Sequence, residues 1–330
     1  MQIINMKLIK SIVFICSLIP CVLIAQQKTA DEFAKTITAV ELQEMLTTFS
    51  SDEFEGRNTG TKGQKKAAQY IADFYRDQDI KSPIEDDDYY QKIPTSFYKD
   101  KYAPTENVLG FIPGKTEEIV VLSAHYDHLG KKDGKIYNGA DDDGSGSMAL
   151  LEIAEAFKKA ADEGFRPKRG ILILHVTAEE KGLIGSDYYT QHPIIPLEQT
   201  VTNLNIDMIG RVDDRHQTDD EYIYLIGSDR LSSELHKISE DANEETVNLE
   251  LDYKYNAKND PNRFYFRSDH YNFAKNDIPV IFYFNGTHDD YHQPSDTVDK
   301  INFDLLEKRT RLIFHTAWKV ANRDERPALD

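Results

Sequence analysis

The hydrophobic positions of this chain form short, continuous apolar runs that are separated by longer amphipathic stretches. Apolar runs of this length, rich in β-branched residues and bounded by polar ones, are typical of strands buried on both faces of a sheet. They predict strands at residues 107–112, 119–122, 171–176, 203–206, 222–226 and 279–284. The sheet that contains them should therefore be covered on both sides.

The stretches between these runs show a helical period. In residues 63–76, Ala67, Ile71 and Phe74 fall on one helix face. Further helices are predicted at residues 40–49, 145–161, 231–242, 268–275 and 303–320. Residues 80–103 are acidic and aromatic with weak periodicity, which indicates an irregular connection or an edge strand. Strands that alternate with helices predict an α/β three-layer sandwich, with a mostly parallel central sheet covered by helices on both faces.

Acids and histidines stand where the predicted strands end. The residues that directly follow a predicted strand, or lie in the loop behind one, are His125, Asp141, Glu179, Glu180, Asp207 and His292. In open α/β sheets, ligands bind beyond the carboxyl ends of the strands. We therefore expect side chains that are far apart in sequence to converge on one edge of the sheet.

A run of three acids, Asp141, Asp142 and Asp143, precedes the predicted helix at 145–161. Adjacent carboxylates repel one another, and a bound divalent cation is the usual remedy. The alternative is a solvated acidic turn at a helix start, where Asp is favoured, and we expect this of Asp143 and Asp142. Histidine nitrogens and carboxylate oxygens are ligands that zinc accepts. The pattern predicts a metal centre.

Composition and charge narrow the class of protein. The chain has 330 residues, 40% of them hydrophobic, and a formal net charge of −18. This is enough apolar material for one large core. Nucleic acid and anionic membrane surfaces are poor partners for so acidic a chain.

The first residues differ from the rest. Lys7 and Lys10 precede an apolar stretch that ends at Ala25, a pattern typical of a secretory signal peptide and too short for a comfortable membrane span. We predict a signal peptide at 1–25, a single catalytic domain at 26–330 and export to the periplasm or the extracellular space. Cys21 leaves a lipid-anchored alternative. Both cysteines, Cys16 and Cys21, lie in this segment, so metal ligands in the mature protein would be His, Asp and Glu.

Several ordered motifs resemble one known family. They are SAHYDH (123–128), GADDDGSG (139–146), TAEEKGLIGS (177–186), NIDMIG (205–210), SDH (268–270) and DYHQPSDT (290–297). The chain resembles the M28 zinc peptidases, the co-catalytic dizinc aminopeptidases, across roughly residues 54–300. Any one of these motifs alone would be a weak signal, but together and in this order they are specific.

The resemblance implies two Zn²⁺ per chain and assigns their ligands. His125 and Asp207 would bind one zinc, and Glu180 and His292 would bind the other. Asp141 would bridge the two, and the peptide bond after this aspartate would be cis. Two metals in one site can together polarise a scissile carbonyl.

The resemblance also assigns three catalytic roles. Glu179 would be the general base, Asp127 would orient the ring of His125, and Tyr291 would stabilise the oxyanion. The implied function is a secreted dizinc metallo-exopeptidase acting on peptide or protein substrates, most simply an aminopeptidase. The alternatives are a glutaminyl cyclase-like single-zinc enzyme, a carboxypeptidase and a non-catalytic binding protein on the same fold.

The remaining histidines are not needed as ligands, because five ligands suffice for two zincs with a bridge. Those left out of the set are His128, His192, His270 and His288. His175 alternates within an apolar strand and is expected to be a hydrogen-bonded core residue. Arg267 and Asp269 are candidates for lining the substrate cleft.

Overall fold

The computed structural model describes residues 30–85 and 88–330. The predicted signal segment lies outside the described residues, and the single-domain organisation of 26–330 stays a prediction. The strands are β1 (Tyr90–Ile93), β2 (Thr105–Ile112), β3 (Ile119–His125), β4 (Gly130–Lys132), β5 (Lys135–Tyr137), β6 (Gly170–Val176), β7 (Thr200–Ile206), β8 (Tyr222–Ile226), β9 (Glu250–Asp252) and β10 (Val280–Phe284). The α-helices are α1 (Ala39–Phe49), α2 (Lys62–Asp77), α3 (Gly146–Asp162), α4 (Ile184–Gln191), α5 (Ser233–Glu245), α6 (His270–Ala274) and α7 (Phe303–Asn322).

The central sheet has the strand order β1-β2-β6-β3-β7-β10-β8-β9 in the described part of the chain. The four strands at its centre, β6, β3, β7 and β10, are parallel. Antiparallel pairs join β2 to β6, β1 to β2 and β8 to β10. The predicted α/β sandwich is confirmed, and the sheet is mixed because strands of opposite direction flank its parallel centre.

The apolar residues of the central strands alternate between two cores. In β3, Val120 and Leu122 face the larger core, while Ile119 and Val121 face the smaller one. Residues of α1, α2, α3, α5 and α7 complete the larger core, and residues of α4 and α6 complete the smaller one. Side chains that alternate in this way bury both faces of the sheet, so the continuous apolar runs form its interior.

The acidic, aromatic stretch contains an edge strand, β1, which pairs with β2, so the edge-strand alternative is confirmed. The strands β4, β5 and β9 and the helix α4 were not predicted, because three-residue strands and an eight-residue helix carry little periodic signal. No helix in residues 30–85 and 88–330 has the length and hydropathy needed to cross a membrane.

Candidate metal centre

The parallel centre of the sheet brings the predicted site residues together. His125 ends β3, Glu179 and Glu180 form a short turn after β6, and Asp207 follows β7. These three strands are neighbours that run in the same direction. Their carboxyl ends therefore meet at one edge, and β10, which pairs with β7, brings the loop that carries His292 to the same edge.

A first group of metal-ligating side chains lies at the ends of β3 and β7. His125 Nε2 is 3.2 Å from Asp142 Oδ1 and 3.6 Å from Asp207 Oδ1. The other ring nitrogen of His125 is 3.0 Å from the backbone oxygen of Asp127, which turns Nε2 toward the acids. Ser268 Oγ donates to the second oxygen of Asp207 at 2.6 Å. The ligand atoms of this buried group lie within 4.8 Å of one another, close enough to share one metal ion.

A second group shares Asp142 with the first. His292 Nε2 is 3.0 Å from Asp142 Oδ2 and 3.3 Å from Glu180 Oε1. His128 Nδ1 is 3.0 Å from the same Glu180 oxygen and 3.8 Å from Asp142 Oδ2. The predicted ligand set does not include His128, although this residue closes the SAHYDH motif. The structure adds it to this second group.

Asp141 does not occupy the position expected of it. Its Oδ1 accepts hydrogen bonds from the backbone N–H of Gly210 at 2.7 Å and from Ser145 Oγ at 3.0 Å, and its Oδ2 is 3.0 Å from His288 Nε2. These partners surround the carboxylate and direct it away from both groups. The residue between the groups is Asp142, so we correct the bridging position from Asp141 to Asp142.

The neighbouring Asp143 has a structural role. Its carboxylate accepts from the backbone N–H groups of His125 at 3.2 Å, Gly146 at 3.0 Å and Met208 at 3.0 Å. It thus ties the end of β3 to the start of α3 and to the loop after β7, as an acid at a helix start can. The expected acidic turn describes Asp143 but not Asp142. The cis peptide bond joins these two residues, one position later than expected.

Arg57 stabilises the loop that carries the three adjacent acids. The sequence did not predict this role. Its fully buried guanidinium donates to the backbone oxygens of Tyr126 at 2.9 Å and Gly139 at 2.8 Å. Burial lowers the pKa of Arg57 to about 10, although Asp296 and Asp142 oppose the shift. Asp296 in turn accepts from the backbone N–H of Asp142 at 3.1 Å. The sequence does not reveal this buried role, because Arg57 is there only a basic residue in a glycine-rich loop.

Glu179 lies beside the two groups without belonging to either. Its backbone N–H donates to Asp127 Oδ1 at 3.0 Å, and the other oxygen of Asp127 accepts from Thr59 Oγ1 at 2.9 Å. The Asp127 carboxylate is 3.9 Å from the His125 ring, farther than its backbone oxygen. Burial raises the pKa of Glu179, and nearby carboxylates, led by Asp207, raise it further.

A small pocket opens between Glu179 and Tyr291. Its volume is ≈ 30 Å³, and its apolar wall consists of Met208, Phe264, Phe282 and Phe284. The Tyr291 ring stacks on His292 at 3.9 Å between centroids, and its hydroxyl accepts from Arg267 at 3.3 Å. Burial, followed by the charge of Asp142, raises the pKa of Tyr291. The phenol therefore keeps its proton and can donate a hydrogen bond.

Two of the histidines outside the centre, His175 and His270, are fully buried, and burial lowers the pKa of each to about 3. His175 belongs to the core as predicted, but neither of its ring nitrogens has a hydrogen-bond partner among the described residues. The prediction that His175 is hydrogen-bonded is therefore wrong within the described residues. Asp269 is also buried, and its Oδ1 accepts from Ser186 Oγ.

The donor set at the two groups fits a metal. Within the described chain, Asp142 Oδ2, Glu180 Oε1 and both ring nitrogens of His128 are buried, and although some of these atoms lie 3.0 Å from a possible partner, none has one in hydrogen-bonding geometry. Burial disfavours the charged form of His292, but Asp142 and Glu180 outweigh it and raise the pKa of His292 to about 10. Buried polar groups without partners are costly. Imidazole and carboxylate converging in this way form the ligand chemistry of zinc.

Comparison with known proteins agrees with this geometry. The model of peptidase family M28 matches residues 107–317. The chain belongs to this family. A probable leucine aminopeptidase of Trichophyton verrucosum (strain HKI 0517) is 29% identical over 224 residues, which are 65% of this chain and 57% of that protein. The first curated relatives are matched over 57% or less of their length. The chain therefore spans only about half of the length of these proteins, or less.

Two solved structures share the fold. The LapA aminopeptidase of Legionella pneumophila superposes with a TM-score of 0.72 at 22% identity, covering 91% of this M28 chain and 75% of LapA. A zinc aminopeptidase from Bacillus subtilis superposes with a TM-score of 0.66 at 17% identity, covering 89% of this chain and 98% of that one. At these identities the likeness establishes the architecture, and the chemistry has to be argued from the residues.

Proposed function

We propose that this M28 protein is a secreted dizinc exopeptidase that releases N-terminal amino acids. One observation carries the proposal: two histidine–carboxylate groups share Asp142 at the sheet edge, and Glu179 stands beside them at the mouth of a pocket. A structural acid cluster would satisfy its carboxylates with hydrogen bonds, as Asp141 and Asp143 do. The carboxylate oxygens of Asp142 and Glu180 instead face the ring nitrogens of histidines.

The residues that would hold the metals follow from the distances. His125 and Asp207 would bind one zinc, Glu180 and His292 the other, and Asp142 would bind both. When bound, zinc supplies Lewis acidity that polarises the scissile carbonyl and favours deprotonation of water. His128 lies next to the second position and is a further candidate ligand, while Asp141 is not proposed as one.

The chain's own residues would move the protons. Glu179 would accept the proton of the attacking water and pass it to the leaving amine, because it faces the pocket and takes no part in either group. Asp127 would position this base, since its carboxylate binds the Glu179 backbone N–H. The protonated hydroxyl of Tyr291 would donate a hydrogen bond to the developing oxyanion.

The pocket supports cleavage at a chain end. It is small, and beyond the metal-ligating residues its wall is formed by apolar side chains such as Phe282 and Phe284, so it would accept one terminal residue and not an internal segment. The carboxylates around it would attract a protonated α-amine. Arg267 at the same pocket favours a second candidate, a carboxypeptidase that recognises a terminal carboxylate, because its guanidinium is exposed.

A pair of blocked peptides separates these readings. The aminopeptidase reading predicts hydrolysis of leucyl peptides with a free amine, and loss of hydrolysis when the amine is acetylated. Amidation of the C-terminus should have little effect. Cleavage of acetylated peptides that stops when the C-terminus is amidated would favour the carboxypeptidase. Cyclisation of N-terminal glutamine without any hydrolysis would favour the single-zinc cyclase.

Export rests on the sequence pattern of the first residues alone. We propose cleavage after Ala25, and mass analysis of protein recovered outside the cytoplasm should find a chain that begins near Gln26. A chain that still carries residues 1–25, or one lipidated at Cys21, would contradict this.

A further inference from the structure

A second groove borders the turn that carries Glu179 and Glu180. We call it the basic groove. Its volume is ≈ 440 Å³, and its lining includes Lys99, Lys101, Tyr102, Lys181, Ile184 and Gln191. The groove separates the loop between β1 and β2 from the turn and helix α4 that follow β6. It starts at the residue that directly follows Glu180.

The charge of this groove is opposite to that of the protein. The chain carries a net charge of −18, yet three lysines line the groove. Within the described residues, the amino groups of Lys99, Lys101 and Lys181 have no ion-pair or hydrogen-bond partner. The acidic residue of the lining, Asp187, pairs with Lys275 at 3.3 Å. The free positive charge in the groove suits an anionic ligand.

The position of the groove relates it to the proposed substrate path. Along the sheet edge, the two metal-ligating groups lie at β7, β3 and β6. The small pocket opens on these groups and extends toward β10, which contributes Phe282 and Phe284 to its wall. The basic groove follows at the β6, β2 and β1 side. A peptide with its first side chain in the pocket would therefore leave the centre toward the groove.

The length of the groove fits several residues of substrate. Ile184 and Gln191, which both line it, lie seven positions apart on helix α4. At 1.5 Å per residue this is roughly 10 Å, which an extended peptide spans in about three residues. Aromatic side chains add contact area, since Phe97 packs edge-on against Tyr188 at 5.0 Å.

We infer that the basic groove binds the leaving-group side of the peptide and selects substrates with acidic residues two to three positions after the scissile bond. This specificity rests on the proposed aminopeptidase function, because that function sets the direction of the chain. Lys99 and Lys101 are the residues that test it. Lys181 adjoins a proposed ligand and is left unchanged.

The test compares two peptides and two double variants. The peptides are Leu-Gly-Glu-Glu and Leu-Gly-Gln-Gln, which share the residue to be released and differ only in downstream charge. The variant Lys99→Gln/Lys101→Gln is matched by Lys115→Gln/Lys159→Gln, which also removes two exposed lysines but outside the groove. We expect wild type and control to prefer the acidic peptide by roughly three- to tenfold in kcat/KM, and the groove variant to lose this preference. Added salt should weaken it.

Two results would overturn the inference while leaving the function intact. One is equal turnover of both peptides by the wild type, and the other is a preference that survives in the groove variant. If neither peptide is cleaved, the proposed function fails instead. The affinity of the Glu179→Gln protein for the two peptides then decides about the groove, and equal affinity rejects it.

Discussion

Two of the regions in which this molecule buries carboxylates compensate for the burial in different ways. At the sheet edge, Asp142 and Glu180 face histidine nitrogens at 3.0–3.3 Å. Beneath helix α1, Glu152 is buried with 3% exposure and accepts a hydrogen bond from the Thr38 backbone N–H at 3.1 Å. Burial, followed by repulsion from Glu41, raises the pKa of Glu152 to about 8. A proton neutralises this acid.

The contrast shows which buried acids point to a ligand. Around Glu152 the polar groups are paired: Glu307 accepts from the Ala39 backbone N–H at 2.7 Å and pairs with Arg311 at 2.7 Å. At the sheet edge, Asp142 Oδ2 and Glu180 Oε1 lie close to histidine nitrogens, but in the described chain neither has a partner in hydrogen-bonding geometry. A cluster of buried acids therefore does not by itself indicate a metal site. A metal site is indicated where carboxylate oxygens and histidine nitrogens converge without partners in hydrogen-bonding geometry.

The largest expected effect comes from changing two adjacent glutamates separately. Glu179→Gln cannot accept a proton, so turnover should fall by about 10²–10⁴-fold or more, as is typical for loss of a general base. Its metal content should stay near wild type. Glu180→Gln removes a charged ligand and should lose or weaken one metal. Metal content by mass spectrometry, measured beside turnover, checks both.

These two variants serve as controls for each other, because the residues are chemically identical and adjacent. Loss of metal in Glu179→Gln with retention in Glu180→Gln would reverse the assignment. Near-full turnover of Glu179→Gln would remove the proposed base from the mechanism.

A smaller effect is expected at Asp127, which links the centre to the base. Asp127→Asn keeps the size of the side chain but weakens its acceptance from Thr59 and from the Glu179 backbone. We predict a fall in turnover or metal affinity of roughly 10–100-fold, the usual effect of an outer partner of a metal site. Steady-state kinetics and a metal titration measure it, with Asp133→Asn on the exposed β4–β5 hairpin as control. Unchanged values in both assays would exclude Asp127 from the site.

The smallest effect on activity is expected at Glu152, where the change concerns stability only. Folding raises the pKa of Glu152 from 4.5 to about 8, so the folded state holds a proton that the unfolded state releases in this window. Wild-type stability should therefore fall as the pH rises from about 4.5 to 8. Glu152→Gln stays neutral and should be more stable than wild type at pH 8 by about 4 kcal/mol, with no gain below pH 4.

Urea unfolding at pH 4, 6 and 8 checks this dependence. Glu163→Gln, an exposed change at the end of α3, provides the matched control and should show no pH-dependent gain. A gain of the same size at all three pH values would mean that folding does not raise the pKa of Glu152.

The sequence predicted the parts of this structure that depend on long, regular patterns. The six predicted strands appear in the sheet, and the ends of β3, β6 and β7 carry the expected His125, Glu180 and Asp207. The sequence pattern could not show which of the adjacent acids faces the histidines. Which aspartate of Asp141 and Asp142 faces the histidines depends on backbone donors such as Gly210, 69 positions away in the chain. Periodicity carries no information on such contacts.

The central claim is that Asp142 joins two metal positions into one centre, and metal stoichiometry tests it most directly. Purified protein should bind close to two zinc ions per chain at saturation. Asp142→Asn should lose most of both, because its side chain belongs to both groups. Asp141→Asn should keep near wild-type content, since its carboxylate already binds Gly210 and Ser145. Saturation at one zinc with full activity, or metal loss in Asp141→Asn but not in Asp142→Asn, would contradict the account.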